Sequence, residues 1–199
     1  MAKTIEEKVD ALIRGVEKVL NAVSNSNSVS YRPASTNFYS PKGGQLQFAV
    51  GVPTWKEPEL KNGQLISYVE KEGAVFIEAA PPDPNTEGKL DWKGKKIVFA
   101  LGDKDIAAIV NALTTGRVDK NGNLVNITHT TGSEDSPIVK YFKIRPGKDS
   151  PTGEPTYGME VADMSTKNKV SVFVGAVDLT RLRLLLASAM PRILGWDRV

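Results

Sequence analysis

The chain has 199 residues, 40% hydrophobic and 25% charged, with a formal net charge of +3. That is enough for one sizeable domain or two small ones around a real core, and the mild basicity permits a nucleic-acid partner without demanding one. There is no cysteine, which excludes thiol catalysis, disulfides and cysteine-ligated metal, and no apolar run approaches the roughly 18 residues of a membrane helix.

Residues 4–23 predict an amphipathic helix. Thr4 and Glu7 make a capping-box pattern, and Ile5, Val9, Leu12, Ile13, Val16, Val19, Leu20 and Val23 recur at helical spacing. The polar run Ser24-Asn-Ser-Asn-Ser-Val-Ser follows as a flexible linker. Residues 1–30 are therefore expected to form an appendage, with a body from about residue 38 to the end. The N-terminus lacks the apolar core of a signal peptide. An intracellular setting is expected: the cytoplasm or nucleoid of a prokaryote or virus-infected host, or an organelle after removal of a transit sequence.

The body predicts an α+β domain written twice, with repeats of about 38–120 and 121–199. In the first repeat, Gln45 to Val52 alternates, with Leu46, Phe48 and Val50 on one side and Gln45, Gln47 and Ala49 on the other. Strands are also expected over Gln64 to Glu70, Ala74 to Ala80 and Lys95 to Leu101, with turns at Asn62-Gly63 and Glu72-Gly73. Gly102-Asp103 then opens a helix carrying Ile106, Ile109, Val110 and Leu113. In the second repeat, strands are expected over Leu124 to Thr130, Ile138 to Arg145, Tyr157 to Asp163 and Lys169 to Ala176.

The last strand holds the apolar run Val170-Ser-Val-Phe-Val-Gly-Ala, which fits a buried strand. Asp178 is placed to cap the helix that follows. Leu179, Leu182, Leu186, Ala189 and Ile193 form one stripe of that helix, while Leu184, Leu185 and Met190 lie off it. A helix apolar on more than one side must bury against more than one thing: its own sheet, and either a second subunit or a bulky neighbouring segment. The stripe residues Leu179, Leu182, Leu186 and Ile193 are expected at the subunit contact.

Candidate chemistry lies on strand faces. Tyr141, Lys143 and Arg145 share one face of their strand, opposite Ile138, Phe142 and Ile144. Single-stranded nucleic acid uses such faces: bases stack on the rings while cations neutralise phosphates. Tyr39, Lys42, Trp55 and Lys56 offer the same mix in the first repeat, and Trp92 and Lys93 offer it again. Gln45 and Gln47 can bond to base edges or phosphates. Trp196 reads as a packing residue that anchors the chain end. His129, the single histidine, lies in a Thr-rich strand with no triad-type partner motif, and reads as a surface residue. No catalytic group, metal site or cofactor is expected.

Five segments, in order, resemble the plant Whirly proteins, a family of single-stranded DNA-binding proteins. Tyr39-Ser-Pro-Lys-Gly-Gly-Gln-Leu-Gln resembles the segment holding the family's KGKAALS signature. It keeps Lys42-Gly43 but has Gly44 and Gln45 where the family has lysine and alanine. Val52-Pro-Thr-Trp, Asp91-Trp-Lys-Gly-Lys-Lys-Ile-Val-Phe-Ala-Leu and Tyr141-Phe-Lys-Ile-Arg-Pro follow, and the chain closes on Met190-Pro-Arg-Ile-Leu with Gly195-Trp196-Asp197-Arg198. The resemblance covers roughly residues 38–199. It implies two antiparallel four-stranded sheets packed roughly at right angles, each repeat ββββα, with a helical core joining a homotetramer. It further implies binding of single-stranded DNA with weak sequence preference, in DNA maintenance, replication and repair or in transcription from melted DNA. The alternatives are an RNA-binding protein of the same architecture, or a scaffold that recruits a polymerase or another DNA-processing protein.

Overall fold

The structure, a computed structural model, describes residues 35–196 other than Gly63, Asp149 and Thr152. The helix and linker expected over residues 1–30, and Asp197 and Arg198, lie outside the described residues.

The first repeat contributes β1 (Ser35–Ser40), β2 (Gly44–Gly51), β7 (Ala74–Ala80) and β8 (Ile97–Leu101), which form an antiparallel sheet in that order. Helix α1 (Asp103–Thr115) follows it. The second repeat forms a simple meander, β9 (Val125–Ser133), β10 (Ser136–Pro146), β11 (Thr156–Asp163) and β12 (Asn168–Gly175), which leads into α2 (Ala176–Ile193).

Period-two alternation decides which face of each strand is buried. Leu46, Phe48 and Val50 of β2, with Val75, Ile77 and Ala79 of β7, face inward, and so do Phe142 and Ile144 of β10 and Val170, Val172 and Val174 of β12. The two inner faces share one core, in which Phe48 meets Phe142 edge to face at 5.8 Å. That geometry suits the ring quadrupoles.

Two parts of the first repeat depart from expectation. Strand β1 is largely polar, yet it pairs with β2 from Ser35↔Ala49 to Ser40↔Gly44. The segment expected as one strand over Gln64 to Glu70 is not in the sheet. It lies in an arm between β2 and β7, where β3 (Thr54–Trp55) pairs with β6 (Val69–Lys71) and β4 (Glu59–Lys61) with β5 (Gln64–Ile66). β1 takes the fourth place in the sheet because the β1–β2 turn is tight, whereas the arm's strands are only two or three residues long.

Helix α1 starts at Gly102, whose N–H donates to the Asp105 carboxylate at 3.1 Å, and ends at Gly116 in the left-handed conformation. Asp105 also meets His129 Nε2 of β9 at 3.0 Å, and the imidazole stacks on Phe99 at 4.6 Å. His129 is therefore a tie between the repeats, not simply a surface group. Helix α2 starts at Ala176, two residues before Asp178, so Asp178 is not its cap. The Asp178 carboxylate sits in the first turn, where it suits the helix dipole, and accepts from Arg181 at 2.9 Å.

The helical stripe requires a correction. Leu179, Leu182, Leu186 and Ile193 are buried in the chain's own core, with Leu182 and Leu186 at 0% exposure. They pack on the inner faces of the two sheets and cannot reach a second subunit. The large apolar residues of α2 left in solvent are Val177 and Leu184, at 75% and 58% exposure. A shallow groove between the helices, lined by Ala107, Val110, Ala187 and Met190, continues that surface.

Candidate nucleic-acid interface

Each sheet keeps one face open. On the second sheet, cross-strand register builds the face in rows. Asn126, Lys143, Glu160 and Ser171 form one row, and Thr128, Tyr141, Ala162 and Lys169 form the next. Arg145, Gly158 and Phe173 form a third. The face carries aromatic rings, cations and one carboxylate.

Their side chains interlock. Lys143 Nζ lies 4.1 Å from the centre of the Tyr141 ring, a cation–π contact that holds the amine over the face. The Tyr141 hydroxyl donates to Glu160 Oε1 at 2.8 Å, and Ser171 Oγ donates to Glu160 Oε2 at 3.1 Å. Lys169 Nζ lies 3.4 Å from the same carboxylate. Burial alone would raise the Glu160 pKa, but the bonds from Tyr141 and Ser171 and the Lys169 charge bring it below the ordinary value. Burial and the neighbouring carboxylate push the Tyr141 phenol up to about 12, so it stays a donor at neutral pH. Arg145 Nε donates to Asn123 Oδ1 at 2.7 Å, and Asn123 Nδ2 donates to Asp119 at 2.9 Å. The guanidinium is thus oriented from the turn before β9.

On the first sheet, Tyr39 pairs opposite Gln45, and Gln47 lies between Asn37 and Glu78. Lys42 stands exposed on the β1–β2 turn. That turn is pressed against β12: Ser171 N–H donates to Gly43 O at 3.3 Å, and a Cβ on Gly43 would stand 1.7 Å from Ser171 O. Gly44 holds φ +102° against Ala80 and Val170. The glycine at 44, where the related signature has lysine, follows from this crowding. The turn thus lies at the β12 edge of the second sheet, two strands from Tyr141 and Lys143 on β10.

The other expected residues are placed differently. Trp55 packs in the arm, its ring within 2.6 Å of where a Cβ on Gly195 would sit. Gly195 has φ +73° and is buried under that ring. Trp55 therefore clamps the turn after α2. Lys56 is exposed on the same arm, and its backbone N–H donates to Tyr68 O. Trp92 is half-buried in the loop after β7, and Lys93 is exposed in its Asp91–Gly94 turn. None of these four lies on the open strand faces. Trp196, expected as a packing anchor, is instead 65% exposed.

Sequence reasoning missed Phe76 and Phe173, exposed aromatics on the open faces of β7 and β12, and it missed Glu160. Their only signal is parity. Phe173 alternates with Val172 and Val174, but a nearly continuous apolar run reads as buried on both sides.

Three carboxylates respond to acid. Asp119, Glu160 and Asp163 all have lowered pKa values in the fold. A lowered value stabilises the folded state above the ordinary pKa and ceases to do so as pH falls through the folded value. The melting temperature is expected to be flat down to about pH 5 and to fall below about pH 4. Glu160→Gln should make that fall shallower, as read by calorimetry across the pH range.

Two antiparallel four-stranded sheets, each followed by a helix and sharing one core, make the Whirly-like α+β fold. No family model matches the chain, and no curated protein sequence does. Solved structures do. The fold is similar to that of the plant transcriptional regulator PBF-2, at 20% identity and TM-score 0.60, covering 83% of this chain and 85% of that one. It is similar to WHY3 from Arabidopsis thaliana at 19% identity and TM-score 0.57, covering 83% and 90%. WHY1 from the same plant gives 17% identity and TM-score 0.56, covering 83% and 93%. These likenesses fix the fold.

Proposed function

We propose that this protein binds single-stranded DNA along its open sheet faces with weak sequence preference, as a homotetramer, in DNA maintenance or at melted DNA in transcription. The observation that carries the reading is the open sheet face on which Tyr141, Lys143 and Arg145 line one strand, with Phe173 exposed on the edge strand that the Lys42 turn abuts. Rings that stack bases share that face with cations that meet phosphates, which is the chemistry of an unpaired strand. A duplex hides its base faces and gains nothing from exposed rings. The fold shared with Whirly structures supports the same reading, and the work is binding, not catalysis. Helix residues Val177 and Leu184, together with the groove between the helices, offer the apolar surface for subunit contact.

Fluorescence anisotropy with labelled single-stranded DNA, single-stranded RNA and duplex DNA tests this. Single-stranded DNA is expected to bind tightest, with affinity falling as salt rises. Tight duplex binding, or none to any strand, overturns the proposal, and a preference for RNA moves it to the other nucleic acid. Changing Lys42 and Lys143 to Ala should weaken binding at least about tenfold and lower the salt slope by roughly one to two.

A further inference from the structure

We infer that the cleft beside Phe173 is a subsite for one base of the bound strand and that it favours bases carrying an amino group. This rests on the single-strand reading above. The cleft, about 230 Å³, is lined by Arg145, Gly158, Glu160, Ser171 and Phe173 among others. Its size admits one base. Phe173 is 66% exposed, so its ring face is open to a ligand. Its register partner on β11 is Gly158, where an added Cβ would lie 3.6 Å from the ring. With no side chain there, the ring has open space beside it at the depth of the backbone. A flat ligand can enter and stack.

The polar wall sets the preference. Glu160 is held by Tyr141 on Oε1 and by Ser171 and Lys169 on Oε2. A carboxylate oxygen has two acceptor positions, so Oε1 keeps one. A fixed anion on the wall of a nucleic-acid site repels phosphate and accepts from base N–H groups. Cytosine, adenine and guanine present amino hydrogens. Thymine presents one imide N–H between two carbonyl oxygens, which the carboxylate repels. Arg145, with Nε committed to Asn123, has its terminal nitrogens to meet the phosphate of the same nucleotide.

The test is anisotropy with the full chain and labelled oligo(dC) and oligo(dT) of equal length, with melting curves confirming that each variant folds. Wild type is expected to bind oligo(dC) roughly fivefold tighter than oligo(dT). Phe173→Ala and Phe173→Leu should each lose about tenfold on oligo(dC), and Phe173→Trp should retain binding. The leucine variant keeps an apolar cover over Gly158, so a purely structural role for Phe173 predicts no loss there. Glu160→Gln should bring the two oligonucleotides to within about twofold of each other. Unchanged binding in both Phe173 variants overturns the subsite. So does a base preference absent in wild type or unchanged in Glu160→Gln. Wild type that binds neither oligonucleotide nor any other single strand instead overturns the functional reading on which the subsite rests.

Discussion

Leu186→Asp is expected to abolish folding, whereas Leu184→Asp, two positions along the same helix, is expected to leave a folded protein that no longer assembles. Leu186 is fully buried against both sheets. Truncating a buried leucine costs about 2–5 kcal/mol, and a carboxylate in its place adds a desolvation penalty of several kcal/mol more. A domain with about 5–15 kcal/mol of stability does not survive the sum. Leu184 is largely in solvent within the protomer, so a charge there costs the fold little. If α2 meets a partner on that side, the charge is trapped in an apolar contact and the contact fails. Circular dichroism reads the first outcome and light scattering the second. A Leu184→Asp protein with wild-type mass would remove α2 from the subunit interface, and a folded Leu186→Asp protein would contradict the placement of the stripe.

Gly43→Ala should weaken the fold without abolishing it, for a different reason. A single methyl at this position collides with the Ser171 carbonyl, which is strand backbone and cannot rotate away. The β1–β2 turn must lift from β12, and the bond from Ser171 N–H is lost. Overpacking of this kind costs up to about 3 kcal/mol. For a domain of this size that lowers the melting temperature by roughly 10 °C. The same shift moves Lys42 away from the β12 edge of the sheet, so single-strand affinity should fall with stability. Lys42→Ala provides the contrast, since Lys42 is exposed at the tip: affinity should drop while the melting temperature stays. Equal melting temperatures for Gly43→Ala and wild type would show that the two sheets do not depend on this crossing.

Much of the fold was legible because strand faces leave a period-two trace. Leu46, Phe48 and Val50 could be placed inside, and Tyr141, Lys143 and Arg145 outside, from alternation alone. Pairing leaves no such trace in a single strand. The polar β1 therefore carries no apolar signal of its own, and the arm segment at Gln64 has the composition of a sheet strand without its place. The stripe of α2 was correctly found as a stripe, but its partner was not. An apolar helical face records that something covers it, and the duplicated sheets of the same chain proved sufficient. Trp55 and Trp92 show the corresponding limit for the site. Whether a ring meets a base or its own backbone depends on a distant residue, here Gly195 for Trp55. Glu160 was missed because a lone carboxylate in a basic strip looks like ordinary surface until its three donors come together.

The shared core also orders events during synthesis. Both sheets rely on Leu182 and Leu186 to close their inner faces, and these belong to a helix that follows all eight sheet strands in the chain. Until α2 emerges, each nascent β-layer carries an uncovered greasy side, and the first-made repeat waits longest. The two sheets thus complete their interior only once α2 has been made, and a truncation that removes α2 should yield aggregates instead of a smaller stable domain.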